Sequence, residues 1–131
     1  MTRISSKLVL AGLVAMLACS KSPTGPQPGT LSVKLQSPNS GADGAILFTL
    51  TGPNPVTNVR TVAGDTLWST DFTNNTNKVL LTGTISSGVI LQFDVPDVND
   101  FGSYIVGISQ VASSSDYSLR SPVNYVPVVT K

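Results

Sequence analysis

From Thr30 onward, apolar side chains recur at every second position in short runs, and each run ends in a cluster of Gly, Pro, Asn, Asp or Ser. Leu31, Val33 and Leu35 share one face of a first strand, and the turn SPNSGADG (37–44) follows. Ile46, Phe48 and Leu50 then alternate with Leu47 and Thr49 as far as TGPNP (51–55). Further runs cover 56–62 and 66–72, the second containing Trp68, before a turn marked by Asn74, Asn75 and Asn77. Runs 78–85 and 89–95 are separated by SSG (86–88). In the latter, Val89, Leu91, Phe93 and Val95 point one way and Ile90, Gln92 and Asp94 the other. Runs 104–111 and 117–120 flank a Ser-rich bend, and Val123, Tyr125, Pro127 and Val129 alternate to the end. Successive side chains of a strand project to opposite faces, so a period of two marks a half-buried strand. No stretch from Thr30 onward sustains a helical apolar period, and no internal repeat is visible. Seven to nine strands at this spacing predict an all-β fold, a single antiparallel β-sandwich over residues 30–131.

The first residues follow another pattern. Residues 1–7 (MTRISSK) hold two cations and no acid, and 8–18 (LVLAGLVAMLA) form an unbroken apolar run ending in Ala18. This is the layout of an export signal. As a helix the run reaches only about 16 Å, against a hydrocarbon core of about 30 Å. Cys19 follows directly, and MLAC (16–19) resembles the lipobox of bacterial lipoproteins, although Met16 and Leu17 stand where that pattern prefers Leu and a small residue. The resemblance implies removal of residues 1–18, a diacylglycerol on the Cys19 thiol and acylation of the new amino group. Each buried methylene contributes about 0.8 kcal/mol, so two or three acyl chains make a durable anchor where one is marginal. The competing reading is a plain secretory signal followed by a stray cysteine. Ser20, rather than Asp, after the cysteine implies the outer membrane if the cell has two. Residues 20–29 (SKSPTGPQPG) hold three Pro and two Gly, a semi-extended tether with no core of its own. The domain plan is therefore signal 1–18, lipid-bearing Cys19 with linker to 29, and sandwich 30–131.

Composition narrows the chemistry. Of 131 residues, 113 remain without the signal, enough for a core burying roughly two thirds of the unfolded chain's surface. Six Lys and Arg then face seven Asp, which is no electrostatic footprint for nucleic acid or an anionic membrane surface. The chain has no His and no Glu, and Cys19 is its only cysteine. A Ser-His-Asp triad, a Cys-His pair, a His- or Cys-ligated zinc site and a P-loop are excluded. Acid–base chemistry could come only from Asp, Lys or Tyr. An enzyme would need a cleft that brings Asp65 or Asp71 close to Asp94, and the expectation is a protein that is not one. Ser86, Ser87 and the serine run 113–115 lie in no nucleophile elbow.

Two residue sets carry candidate binding chemistry. Asp94, Asp97, Asn99 and Asp100 fall within DVPDVND (94–100). Three carboxylates and an amide supply the oxygen ligands calcium takes, while the same residues also make an ordinary solvated turn. Trp68, Tyr104, Tyr117 and Tyr125 are large amphipathic aromatics. In a row they would stack on sugar rings; otherwise they pack in or over the core.

GAILFTLTGP (44–53) and SGVILQFDVPD (87–97) are similar to strands of cohesin-like and related carbohydrate-binding-like β-sandwiches, with the spacings G-x-x-x-F-x-L and S-G-x-x-L-x-F-x-V. YIVGISQVASSSDYSLR (104–120) resembles the closing strands of bacterial lipoprotein domains. The resemblance spans about 30–129 and implies the fold; an immunoglobulin-like topology competes with it. Dockerin binding is not carried over. The combined expectation is a lipid-anchored cell-envelope protein whose sandwich is a non-catalytic protein-interaction or structural module, with a carbohydrate-binding lipoprotein as the alternative. Its partners would be the membrane, through the lipid, and an envelope protein or a polysaccharide, with no nucleic acid. No cofactor is expected beyond the covalent lipid on Cys19, with calcium the one candidate metal.

Overall fold

The computed structural model describes residues 25–62, 64–70 and 73–131. Residues 1–18, expected to be an export signal, Cys19 and the expected linker as far as residue 24 lie outside the described residues, as does Asp71. The strands are β1 (Gly29–Gln36), β2 (Asp43–Thr51), β3 (Thr57–Thr61), β4 (Thr66–Ser69), β5 (Thr76–Ile85), β6 (Gly88–Val95), β7 (Ile105–Ser113), β8 (Leu119–Arg120) and β9 (Val126–Thr130). A 3-10 segment, Val98–Ser103, links β6 to β7. One sheet has the order β3-β6-β1-β9 and the other β4-β5-β2-β7-β8, with antiparallel pairing throughout. The protein is an all-β sandwich.

The two inner faces are the apolar halves of the alternation. Leu31, Val33, Leu35, Leu91 and Phe93 from the four-stranded sheet meet Ile46, Phe48, Leu50, Val79, Leu81 and Val111 from the five-stranded one, all buried. Each such side chain contributes about 1.5–3 kcal/mol of burial free energy. Tyr104 closes one end of the core, its ring tilted 53° against Phe93 with centroids 5.9 Å apart. Gly52 lies under that ring, where a Cβ would overlap Tyr104, so only glycine lets β2 leave the sheet there.

Three strand details differ from the sequence reading. First, β1 and β6 slip register after Val33, so that Leu91 opposes Val33 but Val89 opposes Lys34. Two residues of β6 then face one of β1, as in a β-bulge. Ile90 turns into the core and Val89 outward, reversing their expected faces. Second, Asn77 is a buried member of β5 rather than a turn residue, and its amide donates to the Thr70 carbonyl at 2.8 Å. Third, β4 is only Thr66–Ser69 and β8 only two residues.

The pairing gives the sandwich two ends. Gly29 opposes Val95, Thr51 opposes Thr76 and Ile105, and Ser32 opposes Thr130. The start of β1, the 3-10 segment and the end of β9 therefore share one end, here the base. The 37–42, 86–87, 114–118 and 121–124 loops share the other, the tip.

Candidate functional site

At the tip, one carboxylate organises the loops. Asp43 opens β2 fully buried. Its Oδ1 accepts from Arg120 Nη1 at 2.9 Å and from the Tyr125 hydroxyl at 2.7 Å, and its Oδ2 accepts from Ser37 Oγ at 2.6 Å. Asn39 Nδ2 donates to the Tyr125 oxygen at 2.9 Å, and Arg120 Nη2 donates to Ser113 Oγ at 3.2 Å. A buried charge is tolerated when it is paired and its lone pairs are filled, and both conditions hold. The cluster joins β2 and β8 of one sheet to the approach of β9 in the other. The sequence reading placed Asp43 in the turn 37–44, and nothing local distinguishes it from an ordinary turn residue.

At the base, the carboxylates of Asp94 and Asp97 are each engaged within the protein, on different partners. Asp94 accepts from Thr30 Oγ1 at 2.7 Å, Asn58 Nδ2 at 3.0 Å and Arg60 Nη1 at 3.1 Å. The Thr30 hydroxyl, the Asn58 amide and Arg60, in that order, hold its pKa down to about 2. Asn58 reaches Asp94 because its backbone is left-handed (φ 51°), a conformation asparagine tolerates, where β3 slips register against β6. Asp97 caps the 3-10 segment: its Oδ1 accepts from the amides of Asn99 at 3.0 Å and Gln27 at 3.1 Å. Those two amides lower its pKa. The Val98 amide donates to the Gln27 carbonyl at 2.8 Å, so the tether is fastened to the domain from Gln27, two residues before β1. Asn99 Oδ1 accepts from Lys131 Nζ at 3.3 Å, and Asp100 is exposed. Among the described residues, no three acidic or cysteine side chains are gathered to hold a metal ion. Beside Asp94, Pro28, Pro55 and Pro96 frame an open depression of about 490 Å³.

The aromatic set divides. Tyr104 and Tyr125 are buried, which corrects the expectation that they could stack on a ligand: one packs on Phe93 and the other bonds Asp43. Burial pushes the Tyr104 hydroxyl pKa up. Trp68 and Tyr117 are 64 % and 68 % exposed. They sit at opposite edges of the five-stranded sheet, on β4 and in the β7–β8 turn, and do not form a strip. Tyr117 has a left-handed backbone (φ 55°), held by its amide bonding the Ser113 carbonyl at 3.1 Å. The acid pair needed for catalysis is also not formed by Asp65 and Asp94. Asp65 packs over Gly83 of β5, whereas Asp94 lies on the outer face of the other sheet.

The outer faces of the two sheets differ in chemistry. On the four-stranded sheet, Arg60, Gln92, Ser32 and Thr130 form one row and Asp94 and Thr30 another. These groups bond one another: Gln92 Nε2 donates to Ser32 Oγ at 3.3 Å, and Arg60 Nη2 to Thr30 Oγ1 at 3.2 Å. On the five-stranded sheet one row is Trp68, Leu80, Leu47 and Gln110, and the next is Thr66, Thr82, Ala45, Ala112 and Leu119. Leu119 is 69 % exposed. A shallow depression of about 230 Å³ opens where Trp68, Leu47, Leu80 and Lys78 meet. Sequence alternation located these outward residues on their strands, but it could not show that the five strands align them into one apolar band. No family model, curated protein or solved structure matches the chain.

Proposed function

We propose that this chain is a lipid-anchored cell-envelope protein whose β-sandwich is a non-catalytic interaction module, docking through the outer face of the five-stranded sheet. The observation that carries the reading is the contrast between the outer faces. The four-stranded face bonds its polar groups to one another and exposes Val126 and Val128 only along its β9 edge, whereas on the five-stranded face an apolar band from exposed Trp68 to exposed Leu119 crosses all five strands, and such an exposed band supports a binding role. The anchor part of the reading rests on the lipobox-like MLAC at 16–19 and the Pro-rich linker. In two-membrane cells, Ser20 rather than Asp after the cysteine supports the outer membrane as the site of the anchor.

A polysaccharide is the second reading, and exposed Trp68 favours it. It has one stacking ring to offer rather than a row, so a protein partner is the better fit. The test is in-cell photo-crosslinking from a photoreactive residue at Leu47 or, as control, at Gln92 on the opposite face. The expected result is a discrete protein adduct from position 47 and none from 92. Equal capture from both faces would contradict the reading, and release of the domain by added polysaccharide without a protein adduct would transfer it to sugar.

A further inference from the structure

We infer that residues 119–131 form a detachable strap. β8, the 121–124 loop and β9 leave the sandwich together, released by one clasp at Asp43, while the other seven strands stay folded. In the closed state β9 covers the edge of β1. In the open state β1 becomes the edge of a three-stranded sheet, with a row of unpaired backbone groups.

The first ground is how little of the segment is buried. Within 119–131 only Tyr125 is buried. Leu119, Val123, Val126 and Val128 are exposed, and Val129 is half-buried at the margin of the core. Every other buried apolar side chain lies between Leu31 and Val111, so the remaining strands keep their core when the strap leaves. β8 pairs with β7 at two positions and β9 with β1 at five, and each is the last strand of its sheet. Pro127 of β9 has no N–H to give to a ladder. Few buried contacts and one-sided pairing mark a segment that opens below the free energy of global unfolding.

The second ground is where the chain can pivot. Ser114, just after β7, is held on β2: its amide donates to the Ala42 carbonyl at 2.9 Å, and a Cβ on Gly44 would overlap its backbone. Residues 114–118 beyond it are exposed. They bond within their own turn, through the Tyr117 amide to the Ser113 carbonyl at 3.1 Å and Ser118 Oγ to Asp116 Oδ1 at 2.7 Å. The 121–124 loop is likewise exposed, and its closing bond, from the Tyr125 amide to the Pro122 carbonyl at 3.2 Å, stays inside the strap. At the base, Lys131 Nζ donates to Asn99 Oδ1 at 3.3 Å and lies 5.2 Å from the Phe101 ring. An exposed contact of this kind holds weakly.

The third ground is that the clasp is all-or-none. Arg120 and Tyr125 flank the 121–124 loop, and both donate to Asp43 Oδ1, at 2.9 and 2.7 Å. Asp43 belongs to β2, outside the strap, and Ser37 keeps its other oxygen. If one donor left alone, the carboxylate would stay buried with a partner missing, which a dry site penalises. When both leave, the segment that covers Asp43 leaves with them, and water takes the place of both donors. The half-open state is thus disfavoured against the closed and the open one, and the strap has two states.

The test is residue-resolved amide hydrogen exchange of the full chain in rising, sub-denaturing urea. The protected amides of 119–131 should exchange about tenfold or more faster than those of Ile46 and Leu81, which lie in strands paired on both sides. They should share one opening free energy, with a smaller urea slope than Ile46 and Leu81, because the open state exposes less surface than the unfolded one. Two variants separate the strap from the body. Val79→Ala, in β5 and separated from β8 by β2 and β7, should speed Ile46 and Leu81 about tenfold and leave the strap unchanged, because its packing survives opening. Tyr125→Phe, which removes one clasp donor, should speed the strap about fivefold or more. Equal rates and equal urea slopes in the two sets would overturn the inference, as would a gradient of rates fraying inward from Lys131. Equal acceleration of both sets by Val79→Ala, or no acceleration of the strap by Tyr125→Phe, would also overturn it. If Val79→Ala does not fold, the urea slopes of the parent chain decide.

Discussion

Asp43 is the residue on which the tip depends. Its two oxygens receive Arg120, Tyr125 and Ser37, and its side chain has no contact with solvent. Removing one member of a buried, hydrogen-bonded pair leaves the other charge uncompensated, at about 3–5 kcal/mol. Arg120 is partly exposed and Asp43 is not, so it is Arg120→Ala that strands a buried charge and should lower unfolding free energy by about that amount in urea titration. A loss under about 1 kcal/mol would mean the cluster is not formed. Asp94 differs in being partly exposed, and its role is read by pH. Folded, it protonates near pH 2 instead of the ordinary 3.8. Between those values the unfolded chain binds more protons, so this contribution is complete above about pH 4 and fades as pH falls toward 2. Asp97 and Asp116, both lowered by backbone amide donors, act in the same direction. Asp94→Asn should flatten the decline of stability between pH 4 and 2, and an unchanged slope would show that Asp94 is not held by Thr30, Asn58 and Arg60.

At the scale of the element, β1, β2, β5 and β6 were legible because each buries one face. The alternation in 31–35, 46–50 and 91–95 is the same signal that the structure expresses as a row of buried side chains. Phe48 and Phe93 are both fully buried, and replacing either with Ala should cost about 3–5 kcal/mol. Thermal unfolding that separates neither variant from the parent would put the strand faces in doubt. What the alternation could not carry is anything that depends on a distant partner. The bulge that sends Ile90 inward arises from pairing with β1, some 55–60 positions earlier, as does the engagement of Asp94 by Thr30 across 64 positions. Arg120 and Asp43 lie 77 positions apart, and neither has a neighbour that announces the pair. For the same reason, the sequence could list the four large aromatics but not sort exposed Trp68 and Tyr117 from buried Tyr104 and Tyr125.

For the whole molecule, the two ends and the two faces divide the work. The base fastens Gln27 through Asp97, the tip is locked by Asp43, one outer face bonds its polar groups to one another with Val126 and Val128 exposed at its edge, and the other carries an apolar band. The central proposal is that this domain stands on a lipid anchor at Cys19. The most direct measurement is intact mass spectrometry of the full-length gene product purified from the membrane fraction of its own cells. The account predicts a chain beginning at Cys19 and heavier than its sequence by a diacylglycerol plus an acyl chain, with Cys19→Ser abolishing the modification. A chain found unacylated in the soluble fraction, whether cut at another position or retaining Met1, would contradict it.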